Sequence, residues 1–181
     1  MTEEIPLSLR RSIVLVGMMG CGKSAIGSRL AMKLEVPFID LDQEIEKNEG
    51  IAISEIFENH GEAYFRQCEK DTIADILNSK LCVLATGGGA FMSEEIRNLV
   101  KKLADSICIT ADFEVLLERV SRKNTRPLLE KGDKASILRE LIDKRAPVYA
   151  LADITVDSSS GEHELVVNRI IEELRKKNGN S

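Results

Sequence analysis

The chain has 181 residues, 43% hydrophobic and 30% charged, the size of one α/β domain that can bury roughly 70% of its unfolded surface without disulfide or metal staples. Lys and Arg number 25 against 30 Asp and Glu, a net charge of −5, which is the wrong sign for a general nucleic-acid binder. The unbroken apolar runs, such as 13–16 and 81–85, fall far below the ~18 residues of a membrane span, and the acidic start lacks the apolar stretch of a secretory signal, so a cytoplasmic protein without membrane partners is expected.

Strand candidates occur at 12–16, 37–40, 81–86, 106–110 and 154–156, separated by stretches of helical period. That alternation predicts parallel βαβ units in a single domain. Buried helix stripes are expected at Ile26, Leu30 and Leu34, then at Ile96, Leu99, Val100 and Leu103 behind Ser93 as an N-cap. The last helix carries Val167, Ile170, Ile171 and Leu174. Two stretches break the rhythm. Residues 51–78 read as a long helical insertion interrupted near Gly61, and 122–135 are polar and basic with Pro127 and Gly132. The first is expected to form, with the preceding turn, a substrate-binding region over about 42–78; the second is expected to be a lid over about 122–135. The four cysteines, Cys21, Cys68, Cys82 and Cys108, form no C-x-x-C pair and only His60 and His163 could join them. A zinc site is therefore poorly supplied, and reduced thiols are expected.

Gly17-Met18-Met19-Gly20-Cys21-Gly22-Lys23-Ser24 matches G-x-x-x-x-G-K-[ST] between the strongest strand candidate and an amphipathic helix. Glycines let backbone wrap an anion, and successive N–H groups meet the helix N-terminus there. Gly20, Cys21, Gly22, Lys23, Ser24 and Ala25 are thus the candidate nucleotide contacts, with Lys23 on the terminal phosphates and Ser24 offering its hydroxyl to Mg²⁺. The motif implies ATP or a relative; it does not choose among switches, motors and small-molecule kinases.

The second strand candidate ends Asp40-Leu41-Asp42. On an extended chain residues two apart project to one side, so both carboxylates are expected in one crevice beside the phosphate loop. The alternative, that one of them caps the helix expected at 43–48, stays open. Thr86-Gly87-Gly88-Gly89 after the third strand candidate is either a close-approach site or a loose turn.

Together with Gly61-Glu62, Phe65-Arg66, the segment 124–129, Lys144-Arg145-Ala146-Pro147 and Tyr149, these motifs closely resemble the shikimate kinases over nearly the whole chain. The resemblance implies ATP-dependent phosphorylation of the 3-hydroxyl of shikimate, on a nucleoside monophosphate kinase-like three-layer α/β fold with a five-stranded parallel sheet. By matching position it implies that Asp42 meets the acceptor hydroxyls as the catalytic carboxylate and that Asp40 holds Mg²⁺ with Ser24. It implies further that Arg66 and Arg145 clamp the substrate carboxylate, that Gly88 donates its N–H to the substrate, and that Arg126 reaches the ATP phosphates from the lid. Arg119 is expected near the adenine, and a monomer is expected. Ala25 stands where many relatives carry Thr. The same residues leave room for two other readings, a kinase for another small acceptor such as gluconate and a nucleotide-binding regulator without turnover.

Overall fold

Apolar runs become strands where both of their faces can be covered, and here β1 (Ser12–Val16) is buried at every position. The computed structural model describes residues 9–122 and 133–179. From β1 the chain passes through α1 (Lys23–Lys33), β2 (Phe38–Asp40), α2 (Leu41–Glu49) and the long α3 (Ile53–Ser79) to β3 (Val83–Ala85). A 3₁₀ turn (Ala90–Met92) and α4 (Glu94–Leu103) then lead to β4 (Ala104–Thr110), α5 (Phe113–Ser121), α6 (Lys134–Tyr149), β5 (Ile154–Asp157) and α7 (His163–Gly179). All strands pair in parallel in the order β2-β3-β1-β4-β5. A parallel sheet covered on both faces explains why β1 is continuously apolar rather than alternating. Only the edge strand β5 alternates buried with exposed residues.

Most of the expected helix stripes are buried, with Ile26 and Leu30 at 0%, Ile96 and Val100 at 1% and Ile170 at 0%, while Leu99, Leu103 and Ile171 pack against the core partly buried. Full burial of each such side chain contributes roughly 1.5–3 kcal/mol. Ser93 caps α4 by accepting from the Ile96 N–H. The long insertion is helical and kinks at Gly61. Strand ends differ from the sequence reading where pairing decides them. β4 begins two residues early because Ala104 and Asp105 pair with Ser12 and Ile13, and β3 is shorter because Leu81 lies outside the ladder, partly exposed. Both ends of the stretch expected as a lid belong to helices: Arg122 closes α5, and Lys134 and Ala135 open α6 under an Asp133 cap. Residues 123–132, including Arg126, lie outside the described residues.

The order of the strands places the site. β1 connects toward β2 and β4 connects toward β5, so neighbouring strands send the chain in opposite directions and open a crevice at their carboxyl ends. The phosphate loop, the triple glycine and the turn after β4 all emerge there. Among the described residues no helix is long and apolar enough to cross a membrane.

Candidate active site

The phosphate loop is held tightly by what surrounds it. Gly17 adopts φ +138°, and a Cβ there would lie 2.3 Å from the Ile109 carbonyl oxygen, so only glycine lets the loop leave β1 this close to β4. Gly22 sits at the N-cap of α1 without any side-chain cap. The first N–H groups of the helix are therefore presented to an anion rather than to a capping oxygen. Lys23 Nζ donates to the Gly17 and Met18 carbonyls at 2.7 and 3.0 Å, which holds the ammonium over the loop. Cys21 is fully buried, which suits packing and not redox chemistry. Burial likewise pushes the Cys108 thiol up to about 12.

On the outer side of the loop, Arg119 donates to the carbonyls of Gly20 and Ser158, each at 3.2 Å. Ser158, almost fully buried, donates its hydroxyl toward the carbonyls of Cys21 and Thr110 at 2.8 and 2.9 Å. Ser158 is thus the strap that ties the end of β5 to the phosphate loop.

Asp40 and Asp42 do not share a crevice by strand alternation. Asp40 ends β2 and caps α2, accepting from the N–H groups of Asp42 and Gln43, whereas Asp42 stands in the first turn of that helix. The helix turn, not the pleat, directs Asp42, and the capping alternative is what the structure contains. Asp40 still reaches the phosphate loop: its other carboxylate oxygen accepts from the Ser24 hydroxyl at 3.1 Å.

The triple glycine is a floor, not a loose turn. A Cβ on Gly87 would lie 3.3 Å from Asp42 Oδ1, one on Gly88 would lie 2.9 Å from Arg145 Nη1, and one on Gly89 would lie 2.7 Å from Arg66 Nη2. Three consecutive glycines thus each admit one of the side chains expected to handle the acceptor. Thr86 anchors the floor to β1 through its hydroxyl, donated to the Leu15 carbonyl at 2.9 Å.

One further residue of this cluster went unread in the sequence. Glu69, 1% exposed, accepts from Arg66 Nη1 at 2.5 Å, one helical turn along α3. Glu62 accepts from the other guanidinium nitrogen at 3.3 Å. Burial pushes the Glu69 carboxyl above the usual range; Arg66 opposes the rise and the nearby Asp42 adds to it. The two glutamates hold the planar guanidinium in one orientation, which long, flexible arginines need before they can bind a carboxylate bidentately. The i, i+3 spacing of Arg66 and Glu69 was the available signal. Among the described residues no cluster of three or more His, Cys, Asp or Glu could hold a metal by itself.

The arrangement brings an anion cradle, a hydroxyl–carboxylate pair and two guanidinium groups around one crevice. The comparisons with known proteins agree with it. The family model described as shikimate kinase matches residues 19–175. A shikimate kinase of Bradyrhizobium diazoefficiens is 50% identical over 91% of this chain and 80% of that relative. Among solved structures, the shikimate kinase of Acinetobacter baumannii in complex with shikimate superposes with a TM-score of 0.86 at 34% identity, covering 92% of this chain and 94% of that one. A gluconokinase from Sinorhizobium meliloti shares the fold alone, at a TM-score of 0.58 and 20% identity, covering 94% of this chain and 98% of that one. With the phosphate loop from Met19 onward and the whole acceptor cluster inside the family match, and with relatives this similar over most of their length, the chain belongs to the shikimate kinase family, whose phosphoryl donor is ATP.

Proposed function

We propose that this crevice transfers the γ-phosphoryl group of ATP to the 3-hydroxyl of shikimate, with the residues of the triple-glycine floor handling the acceptor. The observation that carries the assignment of roles is the approach of Asp42, Arg145 and Arg66 to three successive glycines. Two guanidinium groups match a small acid's carboxylate, and a carboxylate matches its hydroxyl. The acceptor oxygen forms a bond to the γ-phosphorus while the bond to the β-bridging oxygen breaks. ADP leaves, and the hydroxyl proton passes to Asp42. The transition state is loose and spreads charge over the equatorial oxygens, so positioned cations do most of the work. Lys23 supplies one; Arg126, outside the described residues, is assigned a second on the resemblance alone.

Ser24 and Asp40 fit Mg²⁺, because a hydroxyl and a carboxylate 3.1 Å apart beside the phosphate loop are hard oxygen donors. Bound there with phosphate oxygens and water completing its shell, the ion would neutralise charge on the transferring group. The segment 122–135 is read as the lid that keeps water from competing for the phosphoryl group. The same reading takes the enzyme as a cytoplasmic monomer acting on small molecules, and the net charge of −5 supports it as far as nucleic-acid partners are concerned.

A coupled ADP-release assay with MgATP across a panel of acceptors tests the reading. Turnover that depends on shikimate and is weak with gluconate or nucleoside monophosphates is the expected result. Equal turnover across the panel, or none with shikimate, would sink it.

A further inference from the structure

Arg145 and Tyr149 lie four residues apart on α6 and so share a helix face. That face meets Gly88: a Cβ there would lie 2.9 Å from Arg145 Nη1 and 3.5 Å from the Tyr149 hydroxyl oxygen. Glycine backbone is the freest in the chain, and three in a row need pinning if they are to present fixed groups. The carbonyls of Gly87 and Gly89 are pinned locally, accepting from the N–H groups of Ala90 and Met92 at 3.3 and 3.1 Å. The Gly88 carbonyl is held differently, by the hydroxyl of Tyr149. Tyr149 is 5% exposed, and burial pushes its phenol up to about 12 against the opposing pull of Arg145. Its hydroxyl therefore keeps its proton and remains a donor throughout the working pH range. The Arg145 guanidinium stands over the same glycine, its Nη1 2.9 Å from the position of a Gly88 Cβ.

We propose that Tyr149 is a positioning residue whose hydroxyl locks the Gly88 carbonyl, and with it the peptide after Gly88, beneath the Arg145 guanidinium, so that backbone and cation meet a substrate carboxylate at fixed spacing. The proposal rests on the reading of Arg145 as a carboxylate clamp, and the test separates the two. Tyr149→Phe keeps the ring and deletes the hydroxyl. Its KM for shikimate should rise roughly tenfold, the usual effect of one lost hydrogen bond, while KM for ATP and the melting temperature change little. Arg145→Gln is measured alongside. A rise in KM for shikimate with Arg145→Gln but none with Tyr149→Phe overturns the proposal and leaves the clamp standing; no rise with Arg145→Gln removes the clamp itself, and the proposal with it. A Tyr149→Phe variant that loses affinity for both substrates together with thermal stability marks plain packing and also overturns the proposal.

A second readout does not depend on that variant folding. The chain has two tyrosines and no tryptophan, so Tyr64→Phe leaves Tyr149 as the sole tyrosine. Titration with shikimate should shift its near-ultraviolet absorption, and ATP alone should not. A spectrum that ignores shikimate overturns the proposal.

Discussion

The two ends of the sheet both bury charge, and they do so for opposite ends. At the amino end Asp105, 5% exposed, is paired with Lys177 at 2.7 Å and Arg11 at 3.5 Å. Asp153 accepts from the Ser106 N–H and hydroxyl, both at 2.8 Å, and pairs with Lys177 at 3.4 Å. Those charges are saturated by side chains that reach across β4, β5 and α7. At the carboxyl end the charged groups border glycines as well: Asp42, Arg145 and Arg66 stand over Gly87, Gly88 and Gly89, Arg66 keeping its pairs to Glu62 and Glu69, and α1 presents an N-terminus that no side chain caps. A helix N-terminus offers N–H groups and positive potential, and glycine leaves room for a ligand to meet them. Buried charge alone thus does not mark a site; charge bordered by missing side chains does.

The contrast predicts that substitutions at the carboxyl end remove activity and spare stability, with the reverse at the amino end. Asp42→Asn should lower kcat by about 10²–10⁴-fold, the range for loss of a positioned base, with ATP binding by calorimetry unchanged. Lys23→Ala should lower kcat by about 10²–10³-fold at an unchanged melting temperature. Arg66→Ala should raise KM for shikimate roughly 10- to 100-fold, since a bond to a charged group contributes about 1.5–3 kcal/mol; unchanged kinetics would take Arg66 out of the site. Asp153→Ala should cost about 1–3 kcal/mol in urea unfolding, because the Ser106 N–H loses its acceptor, while kcat stays the same. A fall in kcat without a loss of stability there would break the comparison.

The smallest effect is a pH dependence. Burial pushes the Asp153 carboxyl up, but the Ser106 donors and Lys177 outweigh it and hold the group below its ordinary range. A carboxyl with a folded pKa below its unfolded value, near 3.9, stabilises the fold above that value. The contribution disappears as the pH falls through the lower folded value. Acid unfolding of Asp153→Asn should therefore be shallower below about pH 4, and an acid limb identical to the parent's would deny Asp153 this role.

Of the two ends, only the carboxyl one was legible in the sequence, because some of its features depend only on neighbours in the chain. The phosphate loop lies within eight residues, the strand runs within seven, and the Ser93 cap within one turn. Asp42 was placed in the right crevice for a wrong local reason, since a three-residue strand ended before the alternation could apply.

By itself, then, the order of residues determined the α/β alternation and the nucleotide cradle, since hydrophobic period and loop chemistry act over one or two turns, while the arginines stood out through the family resemblance alone. Only the folded chain decided that Ser158 straps the loop from 137 residues away, that Glu69 is buried against Arg66, and that three glycines each receive a charged side chain. The Ser158 and glycine contacts join segments that meet only through the sheet order, and the burial of Glu69 depends on what packs over α3. No local period records which distant segment will come to rest opposite a given residue, because burial and pairing are properties of the packed whole.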